Sequence, residues 1–295
     1  MIRPSVSIVM TYYERSSQLN KTLKSFVYHG YGSDVEVIIV DDGSTKDKAK
    51  TPDFPFLFSL KIIYLPSQKK WYSNPCIPFN VGMAESNSNI IIIQNAECLH
   101  YNNIVENAKL KATDDIYLSC SCYSLDEKST ENFVFDKKNM NYVTSLMKES
   151  IVPVVDGASG WYNHSEYRPV GYHFCSVITR NNILRLKGFD EKYACGIGYD
   201  DNEFLERIRR LPLKIIIDDD AVVLHQFHYT DRIIDHQYKE LYHRNWVLYN
   251  LYTKNGGKIF DYLYFLVYMF FKQKLKKKHI AKILKIIYPR FRNIR

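Results

Sequence analysis

The first 95 residues alternate short apolar runs with segments of helical spacing, and this alternation constrains the fold more than any other feature. Residues 6–10, 35–40, 60–65 and 90–93 are largely apolar with many β-branched side chains, which predicts four strands, with those at 6–10 and 90–93 buried. Between them, Leu19, Leu23 and Phe26 recur at helical spacing, and residues 78–86 also predict a helix. Strands that alternate with helices pair in parallel, so the sequence predicts an α/β sheet flanked by helices.

The second half of the chain is less regular. Strands are predicted at residues 116–120, 173–179, 213–217 and 221–224, and a helix at 200–210. Residues 156–172 mix glycine, aromatic and polar residues, which is typical of a substrate loop. We predict a core domain over residues 1–230, with halves at about 1–123 and 124–230. A helical extension follows over residues 231–295.

The net charge of +8 is a property of the C-terminal end and not of the body. Ten of the 40 Lys and Arg residues lie in residues 272–295, which contain no Asp or Glu, whereas the remainder has a slight acidic excess. A folded body that binds a polyanion carries a basic patch or stripe, and the charge balance of this body offers none, so RNA binding would have its only motive in the tail. The sequence therefore predicts that the core does not bind nucleic acid.

The six cysteines show neither a CxxC pair nor the spacing of zinc ligands. This usage fits a reduced, cytoplasmic environment. The apolar stretch at the N-terminus is too short for a signal peptide, and the run over 259–271 is shorter than the ~20 residues that span a bilayer. We therefore expect a cytoplasmic protein without a membrane-spanning helix.

Polar clusters follow three of the predicted strands. They are Thr11–Glu14, Asp41–Ser44 and Gln94–Glu97. Ligands of an open α/β sheet bind at the carboxyl ends of its strands, and no glycine-rich phosphate loop follows the first strand. A bound nucleotide would therefore be held by carboxylates, aromatic rings and a metal ion. Each cluster has a plainer interpretation on its own, because Asp-Asp-Gly-Ser is a good turn and Asn-Ala-Glu can cap the next element.

Five segments in order resemble family 2 glycosyltransferases of the GT-A fold. They are SIVMTYYER, VIIVDDGS, PFNVGMAES, IIIIQNAEC and GFDEKYACGIGYDDNEFLERI, and the resemblance covers about residues 4–230. The last segment is similar to the acceptor-side motif of β-1,4-galactosyltransferase-like enzymes. The resemblance implies a mixed, mostly parallel GT-A sheet and transfer of a hexose or N-acetylhexosamine from a nucleotide sugar, with UDP as the expected nucleotide and inversion as the expected outcome.

The resemblance also implies which residues bind the donor. The loop after the first strand would line the nucleobase pocket, Asp42 would bind the base or ribose, and Asn80 would lie near the diphosphate or donor sugar. The predicted donor-binding residues are Thr11, Tyr13, Glu14, Asp41, Asp42, Asn80 and Asn95. Lys69 and Lys70 lie just before Trp71, where one of them could reach a phosphate or both could be solvated.

The predicted metal site departs from the family pattern. Asn95-Ala96-Glu97 stands in the place of the family's Asp-x-Asp motif, which helps to hold a divalent cation on the diphosphate. Glu97 and Asn95 still offer oxygen ligands, with one charge instead of two. The resemblance adds a histidine as a third ligand, and imidazole suits Mn²⁺ better than Mg²⁺. His225 is the choice because it directly ends an apolar run; His228, three residues on, would point to the opposite face of a strand, so we do not expect both to serve equally. A structural histidine and a metal-independent enzyme are the alternatives.

The acidic cluster at residues 200–203 is the predicted catalytic element. By its position in the motif, Asp201 resembles the general base that takes the acceptor hydroxyl proton, and Asp200 resembles an acceptor-binding residue. Acidic residues are also favoured at a helix N-terminus, so capping is the alternative. Trp161, His164 and Arg168 are predicted to bind the acceptor, although Trp161 could instead be a core residue.

The C-terminal residues 258–288 combine aromatic and aliphatic residues with many lysines. This composition is typical of a helix that lies on an anionic membrane surface. We therefore expect a peripheral protein at the inner face of a membrane that acts on a glycan or a lipid-linked glycan in polysaccharide biosynthesis. A helix that packs on a partner subunit and a solvated charge run are alternatives for the tail. A non-catalytic nucleotide-sugar or glycan-binding protein is the alternative for the whole chain.

Overall fold

A computed structural model describes residues 4–151, 158–228 and 236–255 of the 295. Nine strands run through these ranges. Their bounds are β1 Val6–Tyr12, β2 Val35–Asp41, β3 Ser59–Tyr64, β4 Ile90–Asn95, β5 Cys98–His100, β6 Ile116–Ser124, β7 Gly160–Asn163, β8 Cys175–Thr179 and β9 Lys214–His225.

Eight α-helices occur in the same ranges. Their bounds are α1 Ser16–Tyr28, α2 Cys76–Glu85, α3 Ile104–Lys111, α4 Glu127–Asn132, α5 Lys137–Glu149, α6 Arg180–Leu186, α7 Asp200–Arg209 and α8 His236–Asn255. Two short 3₁₀ turns, Ser67–Lys69 and Glu191–Tyr193, complete the description.

The strands form one mixed sheet in the order β3-β2-β1-β4-β8-β6-β9-β5, with β7 paired to β6. The pairs β2–β3, β1–β2, β1–β4 and β6–β9 are parallel, whereas β8 is antiparallel to both β4 and β6. The parallel strands β1, β2 and β4 are almost wholly buried, as their continuous apolar runs require. The sheet and its flanking helices confirm the predicted α/β fold class.

Strand prediction failed where pairing rather than local composition defines the strand. The two apolar runs at 213–217 and 221–224 belong to the single strand β9, whose register with β6 shifts between Cys120 and Ser121. The short strands β5 and β7 were not predicted. Each is defined by its antiparallel partner, β9 for β5 and β6 for β7.

Helix α1 starts at Ser16, and its N-terminus is capped from outside the helix. The Asp47 carboxylate accepts a hydrogen bond from the Ser16 backbone N–H at 2.8 Å, which pairs one of the N–H groups that a helix start leaves open. The residue before the helix, Arg15, makes no side-chain cap. The Arg15 side chain instead contacts Glu97.

The chain forms two compact units. The first comprises Met1–Lys70, Ile77–Phe189 and Arg207–Thr230 and holds all nine strands, and the second comprises Trp71–Cys76, Asp190–Glu206 and Asp231–Arg295. The predicted boundary at residue 230 stays a prediction. Of the predicted helical extension, α8 is helical, and residues 256–295, with the predicted membrane-surface segment, lie outside the described residues.

All six cysteines lie within the described ranges, and none forms a disulfide. Among the described helices, none combines the length and the apolar character needed to cross a membrane.

A buried hydrogen-bonded chain at His100 ties the sheet to Tyr31, which follows α1. Its Nδ1 accepts from the Tyr31 hydroxyl at 2.7 Å, and its Nε2 donates to the Gln94 side-chain oxygen at 2.7 Å. The Gln94 amide nitrogen in turn donates to the Cys98 carbonyl at 3.0 Å. Burial, with a smaller contribution from neighbouring His29, holds the pKa of His100 well below its usual value, so the ring stays neutral.

This buried imidazole predicts a loss of stability in mild acid. Below about pH 6.5 His100 binds a proton in the unfolded chain but not in the folded protein, so the free energy of unfolding falls as the pH falls. We expect His100→Gln to remove about 1.4 kcal/mol of the wild-type decrease between pH 7.5 and 5.5, measured by urea unfolding. His243→Gln, a change on the exposed α8 surface, is the control. An equally steep pH dependence in His100→Gln would contradict the assignment.

Candidate active site

The carboxyl ends of β1, β2 and β4 meet at one edge of the sheet. The parallel registers place Thr11 beside Asn95 and Tyr12 beside Asp41. The three predicted strand-end clusters therefore begin at one edge, as expected for parallel strands. Their side chains serve different purposes there.

Asp41 and Glu14 hold the loop that follows β2. The two Asp41 carboxylate oxygens accept the backbone N–H groups of Ser44 and Ala49, each at 2.8 Å, and Asp41 is 1% exposed. Glu14 accepts from the backbone N–H groups of Thr45 and Lys46 at 2.6 and 3.0 Å. Burial would raise the pKa of Glu14, but these bonds from the loop backbone lower it. Both carboxylates thus shape the loop, and their predicted donor contacts stay predictions.

Asp42, Lys70 and Tyr13 form a second group at the same edge. The Lys70 ammonium lies 2.7 Å from the Asp42 carboxylate and 4.7 Å from the centre of the Tyr13 ring. Tyr13 is half exposed. An accessible ring beside a cation and a carboxylate offers stacking to a base, hydrogen bonding to a ribose and charge to a phosphate. Lys70 is the lysine of the predicted pair that reaches this group.

Glu97, His225 and His228 form the one potential metal-binding cluster of the sheet unit within the described ranges. One ligand atom of each residue lies within 4.8 Å of the other two. The Nε2 atoms of His225 and His228 lie 3.6 and 3.4 Å from Glu97 Oε1. Glu97 and His225 are buried, and His228 Nδ1 is buried without a hydrogen-bond partner in the described structure. A carboxylate with two imidazoles is a mixed oxygen and nitrogen ligand set that suits a divalent first-row metal ion.

Arg15 makes the third contact with Glu97, with its guanidinium Nη1 2.7 Å from Glu97 Oε1. Burial alone would raise the pKa of Glu97. The Arg15 charge and hydrogen bonds from His225 and His228 outweigh it and hold the pKa well below its usual value. Glu97 is therefore ionised, as a metal ligand must be.

His228 reaches Glu97 because β9 ends at His225. Had the strand continued through His228, its side chain and that of His225, three residues apart, would point to opposite faces. Residues 226–228 leave the strand, and Gln226 turns inward to donate to the Glu97 carbonyl at 3.1 Å. Both imidazoles consequently approach the same carboxylate. The expectation that the two would not serve equally as ligands assumed an extended strand through residue 228, and the strand ends at His225.

Asn80 and Asn95 lie in different settings. The Asn80 side-chain oxygen accepts from the Phe189 N–H at 2.8 Å, and its nitrogen donates to the Phe189 carbonyl at 3.0 Å. Asn80 therefore fixes the chain at Phe189, next to Gly188, where an added Cβ would lie 2.4 Å from Asn80 Oδ1. Asn95 is half-buried at the end of β4, and its backbone N–H donates to Phe174.

The predicted acceptor residues of the 160–168 segment are partly structural. Trp161 is 5% exposed, packs in a cluster with Tyr123 and Leu224, and donates from its indole N–H to Ser150 at 3.0 Å. This is the core placement that the sequence left as an alternative. His164 stacks on Tyr167 with ring centres 4.4 Å apart, and Arg168 donates to the Tyr162 carbonyl at 2.6 Å.

Asp200 and Asp201 begin α7, whose first turn also contains Glu203. Asp200 is buried and accepts from the Asn74 side-chain nitrogen at 2.8 Å. Asp201 is half-buried, one residue further along. Tyr199, directly before them, has a φ of 65°, which is rare for a residue with a side chain and is concentrated at functional positions.

Two residues of the Glu97 cluster were not predicted, Arg15 and His228. Arg15 follows the first predicted strand end directly, so its place at the carboxyl edge could have been inferred from position. Its pairing with Glu97, 82 residues away, could not. His228 was noticed and set aside because of the assumed strand.

Solved structures with the same fold are glycosyltransferases. Mannosyltransferase PcManGT from Pyrobaculum calidifontis, in complex with GDP-Man and Mn²⁺, is 16% identical with a TM-score of 0.50, over 88% of this chain and 66% of that one. S. aureus TarS 1-349, in complex with UDP-GlcNAc, is 13% identical with a TM-score of 0.51, over 84% and 66%. The chain thus spans just under two thirds of either structure. These likenesses define the fold as that of GT-A glycosyltransferases.

The family follows from the sequence itself. The model of the glycosyltransferase-like family 2 matches residues 5–258, which is most of the chain. The protein therefore belongs to this family. None of the curated protein sequences matches it.

The hydrogen bonds of Asp41 predict a structural effect. Asp41→Ala leaves two buried backbone N–H groups unpaired, so we expect the free energy of unfolding to fall by about 2–4 kcal/mol in urea titrations. Asp220→Ala removes a carboxylate that is 90% exposed and should change it by less than about 0.5 kcal/mol. Equal stability of the two variants would show that the loop does not depend on Asp41.

Proposed function

We propose that the protein transfers a hexose or N-acetylhexosamine from a nucleotide sugar, UDP-linked, to a glycan or lipid-linked glycan with inversion at the sugar carbon. Family membership over most of the chain supports a glycosyltransferase. The observation that carries the proposal is the buried Glu97–His225–His228 cluster at the edge of the sheet where Asp42, Tyr13 and Asn95 also lie. The resemblance of residues 188–208 to the acceptor-side motif of β-1,4-galactosyltransferase-like enzymes is the support for the proposed acceptor side.

The ligand set fits a divalent cation, with Mn²⁺ favoured over Mg²⁺. Glu97, His225 and His228 would hold it, and the second ring nitrogen of His228, Nδ1, is buried without a hydrogen-bond partner in the described structure. A bound cation supplies positive charge to the departing diphosphate. Asn95 adds an amide oxygen near Glu97 in the chain. Arg15 is the competing group, because its guanidinium already neutralises Glu97.

The protein's own residues account for the other steps of the proposal. Tyr13 would stack on the base, Asp42 would accept a hydrogen bond from the base or ribose, and Lys70 beside it would meet a phosphate. Asp201 would take the proton of the attacking acceptor hydroxyl. The bond from Asn74 to Asp200 supports this division of roles, because it anchors Asp200 while Asp201 occupies the next position of α7.

Manganese binding tests the metal centre directly. We expect Mn²⁺ to bind the wild type, measured by loss of the free-ion electron paramagnetic resonance signal, and Glu97→Gln to weaken binding more than about tenfold. His225→Ala and His228→Ala should each weaken it, whereas His243→Ala, a change of an exposed imidazole on α8, should not. Arg15→Ala should tighten binding, because a competing cation is removed. Equal Mn²⁺ affinity of wild type and Glu97→Gln would show that Glu97 does not hold a metal ion.

The base assignment predicts a kinetic effect. A positioned general base contributes roughly 10²–10⁴-fold, so we expect Asp201→Asn to lower the transfer rate at least about 100-fold while the affinity for the nucleotide sugar changes less than about twofold. Glu206→Gln removes one charge from the same helix and is the matched control. Wild-type turnover of Asp201→Asn would show that another group is the base.

A non-catalytic nucleotide-sugar-binding protein is the second candidate. The observation that favours it is the Arg15 guanidinium on Glu97, which places a fixed positive charge where the family uses a metal ion. Such a protein would bind UDP-sugars and show no hydrolysis of them above background. An active enzyme hydrolyses or transfers the sugar, so the same assay separates the two.

The proposed location is the cytoplasmic face of a membrane. Its support is the composition of residues 258–288, in which aromatic and aliphatic residues stand among lysines. A membrane-surface position suits a lipid-linked acceptor.

A further inference from the structure

An aromatic surface of the second unit lies beside the acidic cluster at residues 200–203, called the acidic motif below. Tyr242 and Trp246, one turn apart on α8, are each 44% exposed, and His243 stacks on the Trp246 indole with ring centres 5.3 Å apart. Tyr199 contacts this surface from the chain that leads into α7. Its ring centre is 5.2 Å from that of Tyr242, and the two hydroxyls are 3.1 Å apart. We call Tyr199, Tyr242, His243 and Trp246 the aromatic platform.

The platform is fixed to the acidic motif by buried polar contacts. Asn245, between the two exposed rings in sequence and fully buried, donates to the Gly198 carbonyl at 2.8 Å and to the Tyr193 carbonyl at 3.1 Å. An added Cβ at Gly196 would lie 2.2 Å from Asn245 Oδ1, so this approach leaves no room for a side chain. The Ile197 N–H also donates to the Leu241 carbonyl of α8 at 3.2 Å.

The same loop carries the carboxylates. The Asn74 amide that binds Asp200 also approaches the Gly198 carbonyl at 3.4 Å, and Tyr199 accepts the first backbone bond of α7 from Glu203. The left-handed backbone of Tyr199 persists because both neighbours are held in this way. Aromatic platform and acidic motif therefore form one locally rigid piece.

We propose that the aromatic platform binds a neutral pyranose ring of the acceptor, an inference that rests on the proposed transferase function. Exposed ring faces bind the apolar faces of sugars, and the Tyr199 and Tyr242 hydroxyls and the His243 imidazole supply hydrogen bonds at their edges. Charge selects among the possible partners. Asp200, Asp201 and Glu203 of the adjoining helix start give this region negative charge, which disfavours an anionic lipid or polymer and admits an uncharged saccharide.

The role of Asp201 makes this position useful. A general base must lie within hydrogen-bond reach of the hydroxyl that it deprotonates, so the acceptor needs a support that is fixed relative to the base. The platform provides that support through Asn245 and Tyr199, whereas Trp161, the aromatic residue expected from the sequence, is buried. Recognition of the acceptor would thus depend on α8.

Saturation-transfer NMR on the full chain tests the platform without turnover. The probes are methyl β-glucoside, methyl β-galactoside and methyl N-acetyl-β-glucosaminide, and we expect at least one to receive saturation from the wild type at its ring protons. Trp246→Ala and Tyr242→Ala should lower that signal more than about fivefold, and Trp246→Phe should retain part of it. Tyr142→Ala, a change of a tyrosine on α5 that is 54% exposed, should leave it unchanged.

Each other outcome counts against the proposal. It is overturned if Trp246→Ala receives the same saturation as the wild type, or if no pyranoside receives any. Loss of binding to phosphatidylglycerol vesicles in Trp246→Ala, with an unchanged pyranoside signal, would identify the platform as a membrane contact instead. These results are distinct from a failure of the proposed function, which would appear as the absence of nucleotide-sugar turnover while pyranoside binding persists.

Discussion

The buried carboxylate of Glu97 is the interaction on which the site depends. A buried charge must be paired, and the structure pairs this one with Arg15 from the start of α1 and with two imidazoles from the end of β9. The contact therefore joins three strand ends that are up to about 210 residues apart in the chain. It links these parts of the carboxyl edge of the sheet, and the Arg15 charge with the histidine hydrogen bonds keeps Glu97 ionised.

Several of the polar side chains predicted to bind the donor are hydrogen-bonded within the protein. Asp41 and Glu14 accept hydrogen bonds from the backbone of one loop, and the Asn80 amide bonds to the backbone of Phe189. These are residues that the family resemblance places near the donor. Their bonds give a second reason for finding polar side chains there, because a loop that approaches a ligand closely needs internal partners for its backbone. The accessible Tyr13 ring and the Asp42–Lys70 pair are the groups best placed to meet a nucleotide.

The sequence was informative wherever local composition decides the structure. Four β-branched runs predicted β1 to β4 within two residues at either end. The buried parallel strands β1, β2 and β4 must be apolar along most of their length, whereas β3 is partly exposed. The strands β5 and β7 were not predicted, because a strand of three or four residues is too short to show an alternating pattern and its formation depends on partners that are distant in the chain. The placement of Trp161 in the core, the pairing of Arg15 with Glu97 and the approach of His228 are likewise long-range facts that local spacing does not encode.

A nucleotide sugar that binds at the carboxyl edge of β1, β2 and β4, as proposed, must stabilise the folded protein. The most direct measurement is the thermal unfolding temperature of the full chain with a panel of UDP- and GDP-sugars, with Mn²⁺ present and after chelation. A true donor at about 100 times its dissociation constant should raise the unfolding temperature by at least about 4 °C, and UDP-sugars should do so more than GDP-sugars. An unfolding temperature that no nucleotide sugar changes, with or without Mn²⁺, would contradict the account.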